Sequence, residues 1–325
     1  MDRNDVMKAW ATFFRGHKPL LSIELTKECP LRCPGCYAYD PNHLDGVTLL
    51  RDLADFKGDQ LVERVLAKVD ELAPLHLSIV GGDPLVRYRE LILLVPLLLE
   101  RGIYVQIVTS AFRPIPARWK GLANFKLVVS IDGLPAEHDC RRSPATYERI
   151  LRNIAGHDIT VHCTVTSQMM QRIGYIEEFL SFWQQRPEAA QIWMSIFTPQ
   201  RGSMDKEILT RTERELLVRE LLRLRPTISK LDMSSDMIKA FLSPPRSPGE
   251  CMFSQVTETL SADLSTRITP CQFGGDPDCS QCGCAASVGL HSIAHRTFVG
   301  VSVHKLFDIS NVVVKGIRHF KRMVA

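Results

Sequence analysis

LLSIELTKECPLRCPGCYAYD, residues 20–40, places an alternating apolar run immediately before three closely spaced cysteines. LLSIELT (20–26) reads as a β-strand. Five more runs of the same texture follow: LHLSIV (75–80), IYVQIVTS (103–110), KLVVSID (126–132), ITVHCTVT (159–166) and QIWMSIF (191–197). Between them lie helix-like segments: QLVERVLAKVDELA (60–73), YRELILLVPLLLERG (88–102), TYERILRNIAG (146–156) and YIEEFLSFWQQ (175–185). The second and third end in the glycine that suits a helix C-terminus. Strands alternating with helices build a parallel sheet with right-handed crossovers, so the fold class is α/β. Periodicity leaves an open doubly wound sheet and a curved partial barrel both available. Either gathers functional residues at the C-terminal ends of its strands. The cysteine loop follows the first strand, GGDP (81–84) the second and TSA (109–111) the third, while SIDG (130–133) ends the fourth.

A last helical pattern covers residues 205–225, and then the texture changes to SPPRSPGE (243–250) and a section rich in cysteine and glycine. A boundary is expected near residue 243, dividing residues 1–242 from residues 243–325. The second part is too short for a large core of its own and is expected to depend on a metal or on docking to the first. Of 325 residues, 45% are hydrophobic and 23% charged, with a net charge of +4, which lacks the strongly cationic face of a nucleic-acid binder. No secretory signal is apparent, and the most apolar run, LILLVPLLLE (91–100), falls far short of the roughly 20 residues that span a bilayer. A cytoplasmic location is expected. There, ten cysteines point to metal binding or catalysis rather than disulfides.

Cys29, Cys33 and Cys36 have Cys-x3-Cys-x2-Cys spacing. Three thiolates on one short loop can hold three corners of a cubane iron–sulfur cluster. The fourth iron then keeps an open coordination position, the property that separates a catalytic centre from a closed structural one. Zinc would ask for a fourth ligand, and His43 is the nearest candidate.

CPLRCPGCY at the end of a first strand resembles the signature of the radical S-adenosylmethionine (radical SAM) superfamily. GGDP is similar to that family's glycine-rich motif, with Asp83 in place of the usual glutamate, and SIDGLPAEHDCRR (130–142) resembles its strand-four segment. The resemblance implies a partial (β/α)6 TIM-like barrel. It also implies a [4Fe–4S] cluster on Cys29, Cys33 and Cys36 that cleaves S-adenosylmethionine. Carried over as cofactor contacts are Tyr37, Gly81, Gly82, Asp83, Pro84, Thr109, Ser130, Asp132 and Arg142. The position before the third cysteine is often aromatic in the family; here it is Gly35, and Tyr37 is the nearest ring for adenine. For Arg142 a local ion pair with Asp139 or Glu137 is an equal reading.

Cys251, Cys271, Cys279, Cys282 and Cys284, with a hairpin-like TLSADLSTRITPC between the first two, resemble the twitch or SPASM extension of the family. That implies one auxiliary [4Fe–4S] cluster, with Cys284 the least certain ligand; a zinc ribbon is the alternative. Cys140, Cys163, His138 and His162 read as ordinary structural side chains, and Trp193 and Met194 as core or chamber wall. The resemblance implies a low-potential electron donor, ferredoxin or flavodoxin. The leading expectation is attack on an unactivated C–H bond of a small molecule or lipid. The alternatives are peptide modification, adenosyl-radical addition to an unsaturated lipid, and a non-enzymatic iron–sulfur or zinc protein. About twenty residues before the first strand leave little room for a peptide-recognition domain, and the tail NVVVKGIRHFKRMVA is a candidate for peripheral membrane contact.

Overall fold

The structure, a computed structural model, describes residues 11–44, 46, 48–294, 297–298 and 301–302. The candidate membrane-contact tail therefore lies outside the described residues. The six expected strands form: β1 (Leu20–Glu24), β2 (His76–Val80), β3 (Tyr104–Thr109), β4 (Phe125–Ser130), β5 (Ile159–Val165) and β6 (Ala189–Ile196). The intervening helices are α1 (Gly58–Leu72), α2 (Tyr88–Glu100), α3 (Pro135–Arg142), α4 (Tyr147–Ile154), α5 (Ser167–Met170) and α6 (Tyr175–Gln185), of which α1, α2, α4 and α6 are the expected four. Next come α7 (Arg211–Leu224), α8 (Ser235–Ala240), α9 (Met252–Val256), the strand β7 (Thr257–Leu260) and α10 (Ala285–Ala294).

These seven strands form one parallel sheet, in the order β6-β5-β4-β3-β2-β1-β7, and Thr297–Phe298 pairs antiparallel with Val301–Ser302 apart from it. A doubly wound sheet reverses its order at a switch point. Here the order runs from β1 to β6 without reversal, so right-handed crossovers put every helix on one face and the sheet curves. The ends β6 and β7 do not pair, which leaves the barrel partial. Leu77 and Ile79 on β2, Val105 and Ile107 on β3, and Val161 and Cys163 on β5 are buried on the outer face. They meet apolar stripes such as Leu91, Leu94, Val95 and Leu98 on α2. The opposite face carries Ser22, Ser78, Gln106, Ser130, His162 and Ser195, a polar wall rather than a second core.

The seventh strand is a finding that the sequence reading lacked. Thr257–Leu260 pairs in parallel with β1, while the expected hairpin survives as one antiparallel bridge from Leu260 to Arg267. The sheet thus continues past residue 243. Among the described residues, no helix is long and apolar enough to cross a membrane.

Candidate active site

Cys29, Cys33 and Cys36 leave β1 on a loop that closes in a short 3-10 turn at Tyr37–Tyr39. All three thiols are half-buried. Burial pushes the Cys29 thiol up to about 12 and raises Cys33 and Cys36 as well, with Arg142 opposing the rise at the latter two. Such thiols give up their protons readily only to a metal, whose charge replaces the lost hydration.

The GGDP turn seats directly on this loop. Gly81 and Gly82 both have positive φ, 78° and 51°. A Cβ on Gly82 would overlap the Glu28 carbonyl oxygen, and one on Gly81 the Glu24 side chain, so only glycine permits the approach. Asp83 donates its backbone N–H to Glu28 O at 3.0 Å. Its carboxylate accepts from Leu85 N (3.0 Å), Thr109 Oγ1 (2.7 Å), Ser110 N (2.9 Å) and Ser110 Oγ. Asp83 and Thr109 therefore sit at the expected strand ends, but their side chains are engaged with the protein: they brace β2 to β3 instead of reaching outward. Pro84 starts the following turn, whose first N–H groups Asp83 caps.

Ser130 ends β4 almost buried, and its hydroxyl has no partner among the described residues. Two residues on, Asp132 is fully buried. Burial pushes its carboxyl up, yet Arg142, Arg141 and the Thr164 N–H together hold it well below the usual carboxylate range. Arg142 Nε donates to Asp132 Oδ2 at 2.6 Å, which replaces the expected pairing with Asp139 or Glu137. Those two acids instead accept from Tyr147 N and Tyr175 OH. Asp132 thus orients an arginine toward the cysteine loop.

Three residues of this wall escaped the sequence reading. Arg141 reaches Glu207 Oε2 at 2.7 Å and the Pro34 carbonyl at 3.3 Å; its Nε lies 3.5 Å from Asp132 Oδ2 and its Nη1 is buried without a hydrogen-bond partner. Glu207, in the loop after β6, has its carboxyl raised to about 7 by burial, against the pull of Arg141. Phe197 and Glu207 occupy the space that a side chain at position 35 would need: a Cβ on Gly35 would lie 2.7 Å from the Phe197 ring and 2.9 Å from Glu207 Oε2. Tyr37 faces elsewhere. Its ring packs 5.6 Å from His43 and 5.4 Å, edge-on, from Phe273. Gly35, where the family pattern has an aromatic, was the one signal that another residue fills this place.

His43 is ruled out as a fourth ligand, because Nε2 lies 2.8 Å from Glu24 Oε1 and Nδ1 3.0 Å from the Phe273 carbonyl. The five later cysteines line one cavity together with Thr198, Phe253, Phe273 and Ser287. Burial pushes the Cys271 thiol up to about 12 and Cys279 up to about 11. Among the described residues, no three His, Cys, Asp or Glu side chains converge closely enough for one metal ion. Thiols gathered on one loop or around one cavity suit iron–sulfur and zinc chemistry alike.

The remaining candidates fall as read. Cys163 is a buried core thiol and His138 a satisfied one, accepting from Asp132 N and facing Ala145 O. His162 pairs with Ser195 Oγ at 2.8 Å. Met194 is core, while Trp193 donates to Asp232 and lies 4.4 Å under Lys126.

Residues 23–171 match the family model of the radical SAM superfamily. A PqqA peptide cyclase of Rhizobium meliloti (strain 1021) is 30% identical over 165 residues, covering 48% of this chain and 41% of the relative. That of Methylobacterium nodulans is 34% identical over 90 residues, 28% of this chain and 21% of its own. The chain thus spans less than half the length of these curated relatives. Among solved structures, Streptococcus suis SuiB bound to S-adenosylmethionine superposes with a TM-score of 0.55 at 15% identity, covering 80% of this chain and 60% of SuiB. Native anSMEcpe with bound AdoMet gives 0.56 at 17%, covering 78% and 75%. At such identities these likenesses establish the partial-barrel fold. Three thiols on the loop after β1, the glycine turn pressed against them and the matched model lead to one assignment: residues 23–171 form a radical SAM domain, of the superfamily whose members use a [4Fe–4S] cluster and S-adenosylmethionine.

Proposed function

We propose that this protein is a peptide-modifying radical SAM enzyme, in place of the small-molecule or lipid reading that the sequence put first. The observation that carries this is the 30–34% identity to peptide cyclases in the part of the chain that matches. A second support is the fold shared with SuiB, which has been solved with its precursor peptide SuiA at a TM-score of 0.52. Two fully exposed apolar side chains add to it. Ile173, after β5, and Met204, after β6, stand on the loops at the cysteine end of the strands and offer contacts to an extended chain.

In this reading Cys29, Cys33 and Cys36 hold the catalytic cluster, and four of the five cysteines from Cys251 to Cys284 hold an auxiliary one. Bound there, the first cluster and S-adenosylmethionine supply a reductive cleavage that gives a 5′-deoxyadenosyl radical able to take hydrogen from an unactivated carbon. The protein's part is binding and exclusion. Arg141, whose Nη1 is buried without a hydrogen-bond partner and whose Nε faces Asp132 Oδ2 at 3.5 Å, offers an anion a guanidinium beside Pro34, and Asp132 fixes Arg142 next to it. Ser130 leaves a free hydroxyl at the same strand end, while the Gly81–Gly82 turn brings backbone groups into reach. Phe197 and Glu207 present a ring and a carboxyl beside Gly35, the pair of features that suits adenine. The low-potential donor, a ferredoxin or flavodoxin, and residues 243–325 as an auxiliary-cluster region belong to the same proposal.

The test is co-expression with the short peptides encoded beside its gene, followed by mass spectrometry and anaerobic assay of 5′-deoxyadenosine. A loss of hydrogen from one peptide, matched by 5′-deoxyadenosine, is the expected outcome. Turnover that leaves every peptide mass unchanged, but consumes a small molecule or lipid, would return the reading to the small-molecule or lipid expectation.

A further inference from the structure

A buried chain of contacts joins the two cysteine regions, and ligation by itself does not require it. Glu24 ends β1, His43 lies seven residues after Cys36, Ser261 follows β7, and Phe273 comes two residues after Cys271. Glu24 Oε1 is 2.8 Å from His43 Nε2, and Glu24 Oε2 accepts from Ser261 Oγ at 2.6 Å. His43 Nδ1 donates to the Phe273 carbonyl at 3.0 Å. The Phe273 carbonyl can only accept, so Nδ1 donates to it; burial opposes a charge on the ring, but the hydrogen bond and charge of Glu24 and the Phe273 carbonyl raise its pKa and favour the imidazolium. Both side chains are only 1% exposed.

The backbone is in equally close contact. A Cβ on Gly274 would overlap the His43 carbonyl oxygen, and one on Gly275 would lie 2.8 Å from that of Asn42. Tyr37, next to Cys36, fills the remaining space between the His43 and Phe273 rings. The loop that carries the first three cysteines and the loop that carries Cys271 are therefore packed as one body, pinned by a buried ion pair. Removing one member of such a pair strands the other charge.

We propose that Glu24 and His43 are positioning residues that couple the two cysteine sites, so that retention of the cluster on Cys29, Cys33 and Cys36 depends on the site at Cys251–Cys284 being filled. The inference rests on the reading of both regions as cluster sites. It predicts non-additivity rather than simple loss. With iron released to a chelator as the readout, C271A/C282A should shed first-site iron about fivefold faster than the native sequence, the size of an ordinary coupling between contacting groups. H43A should do the same, and the combined variant should be no faster than either. E24Q/H43Q, which exchanges the ion pair for neutral amides of similar shape, serves where H43A fails to fold, and should behave like H43A. The electron paramagnetic resonance signal of the reduced first cluster, and its change on adding S-adenosylmethionine, should shift in the same variants.

Rates that multiply in the combined variant, or a C271A/C282A variant that keeps its first cluster as the native protein does, would overturn the coupling. Failure of the underlying reading has a different mark: the native protein itself would bind far fewer than about eight irons under anaerobic reconstitution.

Discussion

Cys29, Cys33 and Cys36 lie within eight residues of one loop, whereas Cys251, Cys271 and the group from Cys279 to Cys284 reach their common cavity from three separate stretches of chain. The first region is built by local geometry. A strand delivers the loop, and a glycine turn from the neighbouring strand closes on it. The second is built by docking: β7 pairs with β1, Arg214 of α7 donates to the Phe241, Gln281 and Cys282 carbonyls, and Ile196 N donates to Gly283 O. The same side chain is thus presented once by a single short loop and once by distant segments docked on the barrel.

The largest effect should come from breaking the local region. C33A is expected to abolish 5′-deoxyadenosine formation and remove about half of the reconstituted iron, as measured by iron and sulfide analysis with a product assay. C279A, by contrast, should still cleave S-adenosylmethionine in the absence of peptide; if it does not, the division of labour between the regions is wrong.

Glycine substitutions sharpen the contrast. G82A forces a Cβ onto the Glu28 carbonyl at positive φ, and G283A forces one onto the Ile196 carbonyl. Each should cost about 2–3 kcal/mol in denaturant unfolding. G82A should also impair iron binding at the first region, and G283A only at the second. Equal losses at both regions in both variants would show that the backbone, not the loop, sets the site.

At Arg141 the expected effect is smaller. R141A should weaken S-adenosylmethionine binding about tenfold, and R141K should recover little of it, because lysine lacks the planar fork that reaches Pro34 O and Glu207, faces Asp132 and leaves Nη1 over. Calorimetry with S-adenosylhomocysteine reads this without turnover, and unchanged affinity would remove Arg141 from the cofactor wall.

The smallest effect belongs to the polar face that both regions share. Burial holds His76 and His162 down to about 4, with Lys126 adding to the effect at His76; at His162, Asp132 opposes it and Arg142 adds to it. A histidine whose folded pKa is depressed contributes stability above its unfolded value, near 6.5, that is lost as pH falls toward the folded value. Melting temperature should therefore decline between about pH 6.5 and 4, and H76Q/H162Q should flatten that slope; an unaltered slope would assign it to the carboxylates.

What could be read early follows the same division as the two cysteine regions. Strand and helix periodicity, the cysteine triple and GGDP are local patterns, and each was found where it was expected. Arg141 was hidden in a charged helix next to the more conspicuous Arg142, and Glu207 in a loop with no pattern at all. Thr257–Leu260 is four residues long and looked like one arm of a hairpin, because nothing in so short a run says which edge of the sheet it will join.

By itself, then, the sequence determined the α/β alternation and the close spacing of three cysteines on one loop, since these depend on neighbours in the chain. Only the tertiary structure decided that the sheet is an open barrel of seven strands, that Phe197 takes the place left by Gly35, and that His43 is an ion-pair partner rather than a ligand. Those outcomes depend on which distant groups share a buried space, where an unpaired charge or an overlapping Cβ is too costly to persist.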